Sequence, residues 1–289
     1  TVEPVVRDQT SGTKQNLSLA KPVYRLAAQG RQNSEEERLA LLEQIFDPVS
    51  RQRRAFVQPG WRCLEIGAGR GSMALWLAQQ VGTAGQVVAT DVDTSYLKRL
   101  DFPNLEIRQH NILSDSLETL EPGSFDLVCA RLVLFWLAGK QEIALRRLLE
   151  CVRPGGWLID EDGDWGMVAP VDPSHSHYAP YHHVWKNGDW WSSRGYDPAF
   201  GRKLPILFEH CGLVNLRHEA NAEVVRGGTP WARWWLQSLE GIRTYEQRDG
   251  SLTDERDKAY RVLTNPLTDP SFWLMTAPIH FCCGQRPTP

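Results

Sequence analysis

The sequence predicts an α/β fold built on a doubly wound, mainly parallel sheet. Three observations carry this. The apolar run Arg62 to Ile66 ends in a glycine turn, Gly67-Ala68-Gly69-Arg70-Gly71, which passes directly into the helix-like run Ser72 to Ala78. Apolar strand-like segments then alternate with amphipathic segments as far as residue 162, the pattern of parallel strands joined by helical crossovers. Two of these strand-like segments end in acids, Asp91 and Asp160-Glu161-Asp162, at the ends where such a sheet gathers its ligands.

Taken in order, residues 1 to about 20 are polar and aperiodic and read as a loose arm. From Pro22 to Phe46 the pattern is helical, with Leu39, Leu42, Ile45 and Phe46 on one face and Asn33 or Ser34 as the expected N-cap. A second short helix is expected from Pro48 to Phe56. The first strand and glycine turn follow, then a helix to about Val81 closed by Gly82 and Gly85. Gln86 to Thr90, Asn104 to Gln109 and Phe125 to Ala130 read as strands, with a short helix through Leu100 after Asp93 or Thr94. Gln141 to Val152 is an amphipathic helix, Arg153 to Gly156 a turn, and Trp157 to Asp162 a fifth strand. Residues 163–195 lose periodicity and are rich in His, Tyr, Trp and Pro, as a functional lid would be. A helix is expected from Pro198 to Cys211 and a strand from Val214 to Val225. Helices from Trp231 to Tyr245 and Asp254 to Leu263 follow, then a last strand from Ala277 to Gln285. The expected division is 1–58 for arm and helices, 59–162 for the cofactor-binding core, 163–197 for the lid, and 198–289 for the rest of the core with a helical cap at 229–265.

The 289 residues include 42% hydrophobic and 23% charged residues, enough apolar material for a core of ordinary size. A net charge of -3 gives no basic footprint for nucleic acid. Six cysteines occur without a CxxC pair, so the chain is read as reduced and cytoplasmic, with neither a metal nor a redox motif. No signal peptide and no membrane-spanning run is read in it. Twelve tryptophans exceed what a core of this size needs, so some are expected to line a pocket.

The glycine turn fails the phosphate-loop pattern, because no Lys follows Gly71. It also departs from the dinucleotide fingerprint: the spacing is G-x-G-x-G, and Glu65 stands two residues before the first glycine, where a carboxylate suits a cation and repels a pyrophosphate. Asp91 lies 20 residues beyond Gly71 at a strand end, placed to accept two ribose hydroxyls. A plain helix cap is the competing role for Asp91.

With E-x-G-x-G-x-G at Glu65 to Gly71, V-V-A-T-D ending at Asp91, F-D-L-V at Phe125 to Val128 and R-P-G-G-W at Arg153 to Trp157, the sequence resembles the class I S-adenosylmethionine-dependent methyltransferases. Within them it is most similar to the bacterial small-molecule, natural-product branch. The resemblance implies a Rossmann-like seven-stranded sheet, its last strand antiparallel, with an N-terminal helical arm and an inserted cap. It implies S-adenosylmethionine as cofactor and S-adenosylhomocysteine as product. Gly67, Ala68 and Gly69 would meet the methionine part, Glu65 its ammonium, Asp91 the ribose and Val92 the adenine. Asn111 stands where the family has Asp toward the adenine amino group, Ile112 would cover the ring, and Ala130 and Arg131 would lie near the reacting methyl. Turn formation for Asn111 and a surface role for Arg131 stay open beside these.

The expected reaction is in-line transfer of methyl to an O, N or C nucleophile of a small aromatic or apolar metabolite of secondary metabolism. Candidate catalytic residues are His110, Arg131, Asp162, Asp164 and His182, the histidines as bases near working pH. Tyr24, Trp165, His175, Tyr178, His183 and Trp234 are the expected substrate contacts. The expected partner is the small-molecule substrate, with no nucleic acid and no membrane, and a homodimer left open. An enzyme of this fold that binds the cofactor without methyl transfer (a pericyclase or lyase), or a non-catalytic binding module, is the alternative function.

Overall fold

A computed structural model describes residues 32–289, with side chains from Glu35 onward. Its first element, α1 (Gln32–Arg53), is one continuous helix with Pro48 inside it. Asn33 and Ser34 lie within this helix rather than at its cap. The expected break at Pro48 does not occur, although a proline removes one helical hydrogen bond and crowds the preceding turn. Tertiary bonds on both sides of the proline explain this: Asp47 pairs with Arg131 at 2.9 Å, Ser50 donates to Glu161 at 2.6 Å and Arg54 to Glu161 at 2.7 Å.

The core elements follow as β1 (Arg62–Ile66), α2 (Ser72–Val81), β2 (Gln86–Asp91), β3 (Leu105–Gln109), β4 (Phe125–Arg131), α3 (Gln141–Cys151) and β5 (Val152–Gly163). Then come β6 (Ala169–Pro170), α4 (Tyr178–Asn187), α5 (Phe200–His210), β7 (Val214–Asn221), β8 (Val224–Arg226), α6 (Pro230–Asp249), α7 (Asp254–Thr264), β9 (Trp273–Met275) and β10 (Ile279–Gln285). Seven strands form one sheet in the order β3-β2-β1-β4-β5-β10-β7. The first five are parallel, and β10 runs antiparallel to both β5 and β7. This is the Rossmann-like sheet that the resemblance implies.

Strand alternation divides the core between two faces. Cys63, Val87, Leu127, Cys129, Ile159 and Cys283 pack under α2, while Leu64, Val88, Val128, Leu158 and Cys282 face the opposite layer. The cysteines are unbonded, and all but the half-buried Cys211 are buried, as small hydrophobes. At β1 the chain order reverses, with β2 on one side and β4 on the other. The carboxyl ends of these strands therefore open a crevice, into which the glycine turn, Asp91 and Arg131 all project from one rim.

Four further features depart from the sequence pattern. The segment from 163 is not aperiodic but contains α4, whose inner face is Tyr181 and Trp185, one helical turn apart. The strand expected from Val214 to Val225 is divided between the large sheet and a small antiparallel one, β6-β9-β8. Strand β9 in that small sheet had no counterpart in the sequence pattern, being three residues long. Strand β5 begins at Val152, because Phe125 pairs with Val152 and Leu127 with Trp157, leaving Arg153 to Gly156 as an irregularity within the pairing.

The fully buried Glu246 of α6 fastens the helical cap. It accepts bonds from Tyr260 at 2.6 Å, from Arg256 at 2.7 Å and from Arg194, joining α6, α7 and the segment after α4. No described helix is long and apolar enough to cross a membrane.

Candidate active site

The site begins with the backbone of the glycine turn. Gly67, Gly69 and Gly71 have φ of 67°, 58° and 83°, the left-handed region that favours glycine. At Gly67 a Cβ would also collide with the side chain of Val133. The turn is tied to β2: Ala68 N donates to Thr90 O at 2.9 Å, and Gly69 N donates to Asp91 Oδ2 at 2.9 Å. Asp91 Oδ1 accepts from Asp93 N at 3.0 Å. Burial raises the Asp91 carboxyl above its ordinary value, against the lowering effect of these amide bonds.

Glu65 precedes the turn, almost wholly buried, with Oε2 unpartnered. Burial pushes its carboxyl up to about 7, offset in part by the charges of Arg131 and Arg54 and reinforced by Asp47 and Asp91. Arg131 is held by Asp47 at 2.9 Å and Ser50 Oγ at 3.2 Å. His110 is buried with Nε2 unpartnered, and burial lowers its pKa. Asn111 forms a local turn: its Oδ1 accepts from Leu113 N at 3.0 Å and its N–H donates to Asp115 at 2.8 Å.

A cavity of about 410 Å³ joins these groups to an aromatic wall. Glu65, Gly67, Ala68, Gly69, Asp91, Val92, His110, Asn111, Ile112 and Arg131 line one part. Trp136, Trp165, Trp191, Trp234 and Trp235 line the other, with Leu132, Val133 and Ile242. Trp165 stacks on Trp235 at 5.4 Å and 7°. Leu132 has φ 56°, a strained value for a branched residue, and its N–H donates to Glu161 O at 2.7 Å.

Other expected site residues do not line this cavity. Ala130 is enclosed in the sheet between Ile66 and Asp160. Asp162 is fully buried beneath the wall, accepting from Phe135 N and Gly163 N at 2.9 Å each, and burial pushes it up to about 7. Asp164 is paired with Arg202. His182 and His183 lie on the exposed face of α4, His182 stacked on Tyr178 and His183 bonded to Asn187. His175 lies against Ser271 and Asp269, away from the cavity. Tyr24 falls outside the described residues.

Two groups of lining residues were not anticipated. Glu35, Arg38, Leu39, Leu42 and Glu43 of α1 form one side. The apolar face of that helix was visible in the sequence, but not what it covers. Gln237, Ser238, Glu240 and Gly241 come from the middle of α6, just after its three tryptophans.

Comparison with known proteins points the same way as the motifs. A family model described as a methyltransferase domain matches residues 64–160, from β1 to β5. That stretch is similar to methyltransferase domains, in keeping with the resemblance read from the sequence. Methyltransferase str3 of Strobilurus tenacellus is 32% identical over 171 residues, 58% of this chain and 58% of that protein. Methyltransferase str2 of the same organism is 36% identical over 104 residues, 36% of each. The chain thus spans less than two thirds of the length of these relatives. The solved structure of Haemonchus contortus phosphoethanolamine N-methyltransferase 2, in complex with phosphomonomethylethanolamine and S-adenosylhomocysteine, matches with a TM-score of 0.54. That match covers 92% of this chain and 60% of the other at 16% identity, and carries the fold alone.

The glycine-turn end of the cavity has a chemistry that fits S-adenosylmethionine, the cofactor of the proteins it resembles. A buried, unpartnered carboxylate oxygen on Glu65 suits a cationic group. The left-handed glycines present bare backbone, and Val92 and Ile112 offer apolar surface beside Asp91.

Proposed function

We propose that this chain transfers a methyl group from S-adenosylmethionine to an O, N or C nucleophile of a small, uncharged, apolar or aromatic metabolite, in secondary metabolism. One observation carries the reading: a single cavity runs from the glycine turn to the tryptophan wall, so donor and acceptor share one enclosed space. The cofactor supplies an activated, electrophilic methyl on sulfur. The protein's part is to hold two molecules in line and exclude water, which supplies much of the rate. Glu65 meets the ammonium end, Gly67 to Gly69 offer backbone to the methionine part, and Asp91 accepts the ribose hydroxyls. Val92 and Ile112 flank the adenine, with Asn111 and His110 at its edge.

The acceptor end supports the substrate class. Five indoles present broad apolar faces that suit a planar ring. Each arginine that lines the cavity already has a carboxylate: Arg38 with Glu35 at 2.7 Å, Arg70 with Glu43 at 3.8 Å, Arg131 with Asp47 at 2.9 Å. An anionic acceptor finds no uncommitted cation among the described lining residues, and a thiophilic one finds no cysteine. Of the bases considered, His110 alone lines the cavity, on its glycine-turn side, and burial lowers its pKa.

The test is product analysis with methyl-labelled S-adenosylmethionine and a panel of neutral phenols, quinols and indoles. Equimolar S-adenosylhomocysteine and labelled methyl product is the expected result. Tight cofactor binding with no labelled product across the panel sinks methyl transfer in favour of a binding or rearrangement function.

A further inference from the structure

Among the carboxylates that line the cavity, Glu65 and Glu43 come from different elements and share Arg131 and Asp47 as charged neighbours. Glu65 belongs to β1 and has an unpartnered oxygen in a nearly dry setting. Glu43 belongs to α1 and lines the same cavity beside Arg70 and Ser72. The neighbouring cations are mostly engaged elsewhere. Arg131 bonds Asp47 and Ser50, and Arg54 bonds Glu161 at 2.7 Å. Asp47 in turn is occupied by Arg131, by Arg51 at 2.8 Å and by Ser72 Oγ at 3.1 Å. Arg70 stands 3.8 Å from Glu43 while also donating to Glu36 O at 3.4 Å. Glu43, Glu65 and Asp47 thus share Arg70 and Arg131 between them.

Both carboxyls stand above their ordinary value, with burial the main cause. Burial raises Glu43, with Asp47 adding to it and Arg70, Arg131 and Ser72 opposing it. Glu65 is pushed up to about 7 by burial, with Arg131 and Arg54 opposing and Asp47 and Asp91 adding. A primary ammonium has three N–H donors and needs several acceptors once removed from water. One free oxygen on Glu65 does not supply them.

We propose that Glu43 of α1 and Glu65 of β1 together seat the ammonium of the cofactor's amino-acid end, which makes α1 a wall of the cofactor site. This rests on the reading of S-adenosylmethionine as cofactor. Cofactor binding then draws both carboxyls into their charged form, releases protons, and fastens α1 down over the bound molecule.

Calorimetry on the full chain tests this with two ligands: S-adenosylhomocysteine, and 5′-methylthioadenosine, which shares the thionucleoside and lacks the amino-acid end. Glu43→Gln is expected to weaken S-adenosylhomocysteine on the order of 10-fold, as the loss of one charge-assisted bond does. It should leave methylthioadenosine within about twofold, which also reports that the variant is folded. In the wild type, binding of S-adenosylhomocysteine should tighten from about pH 6 to about pH 8 while that of methylthioadenosine stays flat. Equal losses for both ligands, or an unchanged S-adenosylhomocysteine affinity, overturn the two-carboxylate seat. A wild-type chain that binds both ligands equally well overturns the seat alone. One that binds neither overturns the cofactor reading, and the seat with it.

Discussion

At Gly67 two independent constraints meet: a left-handed backbone, and the side chain of Val133 where a Cβ would stand. Gly67→Ala is expected to cost about 1–3 kcal/mol of stability, measured by thermal unfolding, and to abolish S-adenosylhomocysteine binding in calorimetry. His182→Ala should leave turnover within about twofold, because an exposed ring on the outer face of α4 has nothing to position. These outcomes trace what was legible in the sequence. Glu65, Gly67 and Asp91 are fixed by spacing within one strand–turn–helix–strand unit, and local spacing survives folding. His182 follows the buried Tyr181 by a single residue, and one helical step turns a side chain by about 100°. Once that segment is taken as a loop, no face can be assigned. The acids of β5 show the same thing with period two: Glu161 points to α1, whereas Asp160 and Asp162 point into the opposite layer.

Helix α1 is attached to the sheet through charge. Burial pushes the Glu161 carboxyl up, but the charges of Arg54 and Arg131 and the bonds from Ser50 and Arg54 prevail and hold it below its ordinary value. Arg53 adds a contact at 3.3 Å. Glu161→Gln leaves the buried Arg54 guanidinium without its counter-charge and is expected to cost about 3–5 kcal/mol. In a chain of this size that lowers the unfolding temperature by roughly 6 °C or more. A shift under about 1 °C would show that α1 is held by its apolar face alone. None of this was visible in the pattern of the helix itself. A local rule ends a helix at Pro48, while the bonds that carry it through come from Arg131 and from Glu161, the latter 111 positions beyond its partner Ser50.

At the scale of the molecule, the crevice at the strand ends is enclosed by elements distant in sequence: α1 on one side and α6 with the tryptophan cluster on another. Enclosure leaves a pH signature. Glu65 stands at about 7 in the folded chain against an ordinary 4.5, so the folded state holds its proton where the unfolded state has lost it. Stability from this group is present below about pH 4.5 and is lost as the pH rises through about 7. Between pH 6 and pH 8 the loss is about 1 kcal/mol. Denaturant titrations of the ligand-free wild type should show a steeper fall over that interval than those of Glu65→Gln, and saturating S-adenosylhomocysteine should remove the difference. The tryptophan wall has an optical counterpart. Five of the chain's twelve indoles border the cavity, so a ring entering among them changes a large part of the intrinsic emission. Quenching that follows added acceptor, and is absent with methylthioadenosine alone, turns the wall into a label-free screen for the unidentified substrate.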